Sequence, residues 1–334
     1  MDINILSRLL GEQRLQAVDV GARGGMPNHW QAFASSIELN AFEPDAAACK
    51  VQQDAKRPNE SWFPTALGPA TGIGKLYVVN KASSSSLFPP NEMENARYDF
   101  AGNREVAKII DVPLMTFSDF LDRYQRPLPN LVKLDTQGAE LGILANLRQE
   151  HWRDLLAVQT EVTFIERYKG EPMFWEVDAA MRARGFIMFD LLPYRKYRTG
   201  GQRRHHYLRK YLGIARNRRD ISCRVVAGDA FYLRPTEGLL ERGDRIAVLK
   251  MLIILLIYRC LDEALWFTEE AGRRGILTAT EAEEVFSLIR QRAPSPYPWQ
   301  RDGKIGNIAR KWLKRLGVSK RRPIEYWLDR SWDH

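Results

Sequence analysis

The stretch Val18-Asp-Val-Gly-Ala-Arg-Gly-Gly25 decides the fold, because in it a β-branched run ends in a glycine-rich turn. The run from Leu15 to Val20 predicts a first strand, and the turn follows it at once. A helix is predicted near residues 27–35, since proline is tolerated in the first turn of a helix. A strand, a tight turn and a helix in this order are typical of sheets with crossover helices, so the sequence predicts an α/β protein.

The same alternation of strands and helices continues to about residue 235. Further strands are predicted at 37–42, 62–67, 75–79, 131–134, 156–162, 186–191 and 230–233, and helices at 45–56, 116–124, 139–148 and 172–184. The segment 81–108 has no clear period and contains Ser83–Ser86, which we interpret as a lid or a plain linker. These lengths are typical of a mostly parallel sheet with helices on both faces.

Several residues with useful chemistry stand where the predicted strands end. They are Gly21–Gly25, Glu43, Ala66-Leu67, Asp135 and Glu161. Parallel strands joined by right-handed crossovers place their carboxyl ends along one edge of the sheet. We therefore expect these residues to meet along one rim.

Length and composition predict one full domain with an appendage. The chain has 334 residues, of which 45% are hydrophobic and 27% charged, which excludes a disordered protein. A single core stops growing near ~250–300 residues. We assign residues 1–236 to the α/β domain and 237–334 to a helical C-terminal extension, because helical spacing dominates after residue 237.

The positive charge of the chain is concentrated in one segment. The net charge is +9, and residues 192–226 hold 11 basic side chains against one acidic side chain, Asp220. This basic insertion lies between the strands predicted at 186–191 and 230–233. We expect it to meet an anionic acceptor, and the alternative is a solvated surface loop.

Cysteine use and hydropathy predict a cytoplasmic protein. Three cysteines lie far apart without a CxxC motif, and no signal peptide is recognisable at the N-terminus. The most apolar run, Met251 to Tyr258, is much shorter than the roughly 20 residues that span a bilayer. It is interpreted as a buried helix, and the alternative is a helix on a membrane surface. That alternative would bring the protein into contact with the inner face of the membrane.

Two acidic residues suggest the kind of ligand. Glu43 ends the second strand, where a carboxylate accepts both hydroxyls of a ribose in many nucleoside-binding folds. Asp19 lies within a hydrophobic strand, which is costly unless the carboxylate is hydrogen-bonded. A positively charged sulfonium ion in the ligand would further explain why a carboxylate stands at position 19. A dinucleotide is a poorer candidate for the ligand, because the turn lacks the GxGxxG spacing of a dinucleotide site.

An ordered set of motifs resembles the FkbM family of S-adenosylmethionine-dependent methyltransferases. The motifs are Val18–Gly25, Ala41-Phe-Glu-Pro-Asp45, Thr65-Ala-Leu-Gly68, Ser84-Ser-Ser-Leu87, Lys133-Leu-Asp-Thr-Gln-Gly-Ala-Glu-Leu141, Gln159-Thr-Glu-Val162, Tyr168-Lys-Gly170, Gly185-Phe186 and Gly228-Asp-Ala-Phe231. They cover roughly residues 12–235. The resemblance implies a class I methyltransferase, with a Rossmann-like sheet of seven strands that is mostly parallel. It also implies that the last strand runs antiparallel between its two neighbours.

The same resemblance implies how S-adenosylmethionine is held. Its methionine pocket is shaped by Asp19, Gly21, Ala22 and Gly25, its ribose is held by Glu43, and its adenine lies near Ala66 and Leu67. Asp135 is implied to face the donor or the substrate. Gln137 stands where the family often has Glu, which weakens any expectation of an acidic cluster.

Methylation of an alcohol needs a base within hydrogen-bond reach of the hydroxyl. Asp135 and Glu161 are the catalytic candidates, with His29 and the pair His205-His206 as further ones. Alternatively, Asp135 orients the donor or caps the next helix, and Glu161 pairs with Lys133. A divalent metal bridged by Asp135 and Glu161 is not favoured, because no third ligand is evident.

The function that we expect is O-methylation of a hydroxyl on a sugar, a glycan or a related small molecule, including an anionic one. One alternative is a non-catalytic binding or scaffolding protein with a methyltransferase fold. Another is an RNA methyltransferase that uses the basic half. Because the charge excess is confined to the basic insertion, we interpret it as a feature of the acceptor side rather than of nucleic-acid binding.

Overall fold

The computed structural model describes residues 4–55, 57–98, 100–197, 210–211 and 224–293. Its strands, in chain order, are β1 (Leu15–Val20), β2 (Ile37–Phe42), β3 (Glu60–Phe63), β4 (Ala66–Leu67), β5 (Gly72–Val79), β6 (Val106–Met115), β7 (Leu131–Leu134), β8 (Ala157–Thr163), β9 (Ile187–Tyr197) and β10 (Arg224–Leu233). Its α-helices are α1 (Asn4–Leu10), α2 (Asn28–Gln31), α3 (Ala46–Asp54), α4 (Glu92–Asn95), α5 (Phe117–Tyr124), α6 (Glu140–Ala145), α7 (Phe174–Ala183), α8 (Thr236–Arg242), α9 (Arg245–Ile257), α10 (Leu261–Arg273) and α11 (Ala279–Arg292).

The central sheet has seven strands in the order β3-β2-β1-β7-β8-β10-β9. The neighbours from β3 to β8 pair in parallel, whereas β10 runs antiparallel to both β8 and β9. The expected class of fold is thereby confirmed, including the antiparallel last strand between its two neighbours. Parallel pairing places the carboxyl ends of β1, β2, β7 and β8 along one edge.

A second, three-stranded sheet with the order β4-β6-β5 stands beside that edge. The prediction of one strand over residues 62–67 is wrong, because the chain forms β3 and β4 on either side of Pro64. Proline has no backbone N–H to donate to a sheet, so a strand readily ends there. Sequence analysis also missed β6, most of whose residues are exposed and therefore carry no hydrophobic alternation.

Two hydrophobic layers cover the two faces of the central sheet. Helices α5, α6 and α7 pack on one face through Phe120, Ile143 and Met181, among others. The opposite face is covered by α1, α3 and the helices that follow residue 245. Helices on both faces are what an open, mostly parallel sheet requires, since each face is apolar.

The helix α9 forms the centre of the second layer. Each residue from Met251 to Ile257 is at most 1% exposed, and these residues share one hydrophobic cluster with Leu15, Ala17 and Leu39 of the sheet. The structure thus gives this apolar run as a buried helix rather than a helix on a membrane surface. The helices α9 and α10 are separated by a break at Tyr258–Cys260, where Arg259 has a positive φ of 58°. Within the described ranges, no helix is long and apolar enough to cross a membrane.

The strands β9 and β10 extend into both ends of the basic insertion. The strand β9 continues to Tyr197 and β10 begins at Arg224, so both are longer than predicted. Residues 198–209 and 212–223 lie outside the described residues, and His205 and His206 lie there with them. The expected contact of the basic insertion with an acceptor therefore stays a prediction.

Candidate functional site

A cavity of about 1350 Å³ opens at the carboxyl edge of the central sheet, beside the three-stranded sheet. Its lining includes the predicted residues Asp19, Gly21, Ala22, Gly25, Glu43, Ala66, Leu67 and Asp135. Sites for a single small ligand usually measure about 300–1,000 Å³. The cavity is therefore large enough for two molecules side by side.

The glycine turn after β1 brings two strand ends together. Gly21 has a φ of 85°, and a Cβ there would lie 2.1 Å from the carbonyl oxygen of Asp135. The amides of Gly21 and Ala22 both donate to the carbonyl oxygen of Phe42, each over 3.0 Å. Because these two amides are already paired within the protein, the turn does not contribute them to a ligand. It contributes instead by letting the ends of β1 and β7 approach closely and by leaving space beside them.

Asp19 is held by a lysine on the neighbouring strand. Its carboxylate is 1% exposed and lies 3.0 Å from Lys133 Nζ, as the register of β1 against β7 dictates. Burial raises the pKa of Asp19, and the ammonium group of Lys133 opposes that rise. Burial alone would lower the pKa of Lys133, but Asp19 and Asp135 outweigh it and leave the pKa raised. The expected hydrogen bond to Asp19 thus comes from a side chain.

Glu43 stands at the end of β2 with its carboxylate fixed by the next turn. It is 5% exposed, and its Oε1 accepts a hydrogen bond of 2.8 Å from the amide of Asp45. Arg23 lies 3.8 Å from the same oxygen and 2.9 Å from Asp45. Burial raises the pKa of Glu43, while the Asp45 amide and Arg23 act against it. This corner therefore presents a rigid carboxylate to the cavity.

Asp135 and Glu161 are linked through Gln137 but have different surroundings. Gln137 Nε2 donates to Asp135 Oδ1 and to Glu161 Oε2, both over 2.8 Å. Glu161 is 3% exposed, does not line the cavity and accepts two hydrogen bonds from Arg167, over 3.2 and 2.9 Å. The alternative pairing of Glu161 with Lys133 is replaced by these partners. Asp135 reaches the cavity, whereas Glu161 is part of a buried ion pair behind it.

Glu140 shapes the loop after β7, which sequence analysis did not single out. It is 5% exposed and accepts hydrogen bonds of 2.8 Å from the amides of Thr136 and Gly138. Burial, followed by the charge of Glu161, raises the pKa of Glu140 to about 8. The side chain ties this loop to the start of α6 and so holds Asp135 in place.

The segment around Ser83–Ser86 forms a fixed wall. Ser86 Oγ donates to the carbonyl oxygen of Gln137 over 2.6 Å, and the Tyr168 hydroxyl donates to the carbonyl oxygen of Ser84. Ser84 and Ser86 are buried, and Ser83 lines the cavity. These contacts favour a wall of the site over a plain linker.

Four further polar residues line the end of the cavity that lies toward α9. They are His29, Gln159, Asp229 and Tyr258. His29 is one of the further candidates for the base, and burial followed by the charge of Lys133 lowers its pKa to about 4. Gln159 and Asp229 fall within motifs of the resemblance, but no role was assigned to them. No sequence signal pointed to Tyr258, which lies beyond those motifs.

In the part of the chain that the structure describes, no group of three or more His, Cys, Asp or Glu side chains is placed to hold a metal ion. Cys49 and Cys260 are buried, and neither forms a disulfide within the described residues. The polar side chains that line the cavity carry carboxylate, amide, imidazole, hydroxyl, ammonium and guanidinium groups.

A family model described as the methyltransferase FkbM domain matches residues 19–188, about half of the chain. No curated protein matches the sequence. A solved precorrin-6y C5,15-methyltransferase from Geobacter metallireducens GS-15 is 10% identical in sequence. The match covers 69% of this chain and 86% of that one, with a TM-score of 0.30. This likeness is too low to support a conclusion about the chain. On the family match, the chain belongs to the FkbM methyltransferase family.

Proposed function

We propose that the protein transfers the methyl group of S-adenosylmethionine to a hydroxyl group of a sugar, a glycan or a related small molecule. The observation that carries this proposal is the single cavity in which Glu43, the Gly21 turn and Asp135 meet. Its volume of about 1350 Å³ leaves room for a donor and an acceptor together. The hydroxyl acceptor is supported by resemblance to the FkbM family alone.

The residues of the cavity fit three parts of the donor, which are its ribose, its adenine and its sulfonium. Glu43 offers a fixed carboxylate to the two ribose hydroxyls, and Ala66 and Leu67 offer an apolar surface to the adenine. Asp135 offers a carboxylate to the positive sulfur of the donor, whereas the charge of Asp19 is offset by its ion pair with Lys133. S-adenosylmethionine, when bound, supplies a methyl group already activated by the positive sulfur.

Because the donor is already activated, the chain mainly has to position the acceptor and take up a proton. Holding the two reactants in line contributes most of such a rate increase. Asp135 lines the cavity with its Oδ1 held by Gln137, so its carboxylate is placed to orient an acceptor hydroxyl or to accept its proton. Glu161 is not assigned this role, because Arg167 occupies both of its oxygens.

The activity is tested by transfer of radiolabel from S-adenosylmethionine to fractionated cell extract, followed by identification of the labelled molecule. We expect label on a carbohydrate hydroxyl. Asp135→Asn should slow transfer by about 10²–10⁴-fold, the usual contribution of a proton-accepting group. The exposed Asp122→Asn, on α5, serves as the control and should keep the wild-type rate. Label on RNA or protein, or tight donor binding without any transfer, would reject the proposed reaction.

The donor site is tested separately by calorimetry. Glu43→Ala should weaken S-adenosylmethionine binding by about 1.5–3 kcal/mol, the usual value of hydrogen bonds to a charged group. Glu38→Ala is the matched control, because Glu38 lies on the same strand but does not line the cavity. An unchanged affinity in Glu43→Ala would show that this residue does not hold the donor.

A further inference from the structure

Tyr258 brings the C-terminal helices into the wall of the cavity, although it lies outside the matched residues 19–188. The side chain follows α9 and is 4% exposed. Its hydroxyl donates to Gln159 Oε1 over 2.9 Å and accepts from Trp30 Nε1 over 3.3 Å. Tyr258 therefore joins the layer of C-terminal helices to a residue of β8.

The hydrogen bond from Tyr258 fixes which way the Gln159 amide points. Since Oε1 accepts from the tyrosine, Nε2 is turned toward Asp229, whose Oδ2 lies 3.5 Å away. His29 lies close enough to Gln159 for that side chain to raise the pKa of the imidazole, against the larger lowering by burial. An imidazole, an amide and a carboxylate thus lie together at one end of the cavity. The hydrogen bond from Tyr258 sets the orientation of the amide between the other two groups.

The tyrosine ring is itself held in place by aromatic contacts. It stacks on Phe231 with ring centroids 3.8 Å apart and meets His29 edge to face at 5.2 Å. Such pairs are favourable, and in a buried site they leave little freedom of rotation. The hydroxyl of Tyr258 is thus a fixed donor rather than one that has to be ordered when a ligand binds.

The charges of the described lining indicate which acceptor suits the cavity as a whole. The carboxylates are Asp19, Glu43, Asp45, Asp111, Asp135 and Asp229, and the cations are Arg23, Lys108 and Lys133. Because burial lowers the pKa of His29 to about 4, its imidazole adds no charge at neutral pH. The excess of carboxylates disfavours an anionic group on the acceptor, since like charges repel most strongly where water is scarce.

We propose that His29, Gln159 and Asp229 form a subsite for an uncharged polyhydroxyl portion of the acceptor, and that Tyr258 is the positioning residue that orients it. The subsite combines donors and acceptors that match neighbouring hydroxyl groups, and a carboxylate can accept from two of them at once. This inference rests on the proposed function, because it takes the acceptor to be a hydroxyl compound. It adds the contacting residues, the uncharged character of the acceptor and the role of the C-terminal helices.

The test is saturation-transfer NMR on the full-length protein saturated with S-adenosylhomocysteine. The probes are methyl α-mannopyranoside, which is neutral, and methyl glucuronide, which is anionic. We expect binding of the neutral probe at millimolar concentration and weaker binding of the glucuronide. Tyr258→Phe and Gln159→Leu should each weaken binding of the neutral probe by about fivefold or more, as loss of one oriented hydrogen bond would do.

Calorimetry with S-adenosylhomocysteine and melting temperatures accompany every variant. Both substitutions should leave the affinity for S-adenosylhomocysteine within about twofold of wild type, which shows a folded donor site. Trp30→Phe is the matched control, because it removes the other hydrogen bond to Tyr258 but does not line the cavity. It should lower the melting temperature and keep the binding of the neutral probe. If Tyr258→Phe fails to fold, Gln159→Leu examines the same contact from β8.

Three results would overturn the inference. They are no binding of the neutral probe by the wild-type protein, equal binding by Tyr258→Phe and Gln159→Leu, and glucuronide binding as strong as that of the neutral probe. A loss of S-adenosylhomocysteine affinity in Tyr258→Phe would assign this end to the donor instead. These results would leave the proposed function standing. That function would instead be rejected by an absence of methyl transfer or by an unchanged donor affinity in Glu43→Ala.

Discussion

Gly21 shows how a single residue builds the site. The end of β1 approaches β7 so closely that a Cβ at this position would lie 2.1 Å from the Asp135 carbonyl oxygen. The φ of 85° also belongs to the left-handed region, which favours glycine. We expect Gly21→Ala to lower the free energy of unfolding by about 1–3 kcal/mol and to displace Asp135, as measured by urea unfolding and by donor calorimetry.

The matched control for that substitution is Gly24→Ala in the same turn. A Cβ at Gly24 would meet no atom within 4 Å. Its stability and its affinity for S-adenosylmethionine should stay close to those of the wild-type protein. If Gly21→Ala behaved like Gly24→Ala, close approach of the two strands would not be what the turn provides.

Among the secondary-structure elements, two capped helix N-termini allow an effect on stability to be distinguished from an effect on ligand binding. Asp45 caps α3 by accepting from the amides of Ala47 and Ala48, and its carboxylate lines the cavity beside Glu43. Thr116 caps α5 by accepting from the amide of Asp119, outside the cavity lining. Each cap resembles those whose loss costs about 0.5–2 kcal/mol.

Substitution by alanine at each cap should therefore give different pairs of results. Asp45→Ala should lower both the free energy of unfolding and the affinity for S-adenosylmethionine, because Arg23 loses its partner beside Glu43. Thr116→Ala should lower only the free energy of unfolding. Urea unfolding and calorimetry measure the two effects. An unchanged donor affinity in Asp45→Ala would indicate that the α3 cap has a structural role alone.

At the scale of the whole molecule, the C-terminal helices and the sheet share one hydrophobic core. The cluster joins Leu15 and Leu39 of the sheet to Leu252 and Leu255 of α9, all of which are fully buried. We expect Leu252→Ala to cost about 2–5 kcal/mol, as buried leucines do when truncated. Val51→Ala, at a side chain that is 67% exposed, should change stability little.

The shared core also predicts that the described part of the chain unfolds as a unit. Circular dichroism and tryptophan fluorescence should follow one common urea transition. A fragment of residues 1–236 should not fold alone, because it would expose the apolar face that α9 covers. A fragment that gave a dispersed NMR spectrum and bound S-adenosylmethionine would contradict this expectation.

Local sequence patterns predicted most of the central sheet. The bounds of β1, β2 and β7 agree with the predicted strands, because each is a short buried run that ends at a turn or a polar residue. The strand β6 could not be predicted in this way, since its exposed side chains show no pattern of burial. The rim was predicted from strand order, and the structure brings Glu43, Gly21 and Asp135 to one cavity there.

The sequence alone indicates the class of fold, the family and a set of residues that meet at the carboxyl edge of the central sheet, because these depend on short motifs in a set order. Only the tertiary structure shows which side chains contact each other in the site. Lys133 meets Asp19 across 114 positions of the chain, and Tyr258 meets Gln159 across 99. Such contacts depend on strand order and on how helices pack over the sheet. Local patterns show which side chains prefer burial, but they do not show which side chains are buried against each other.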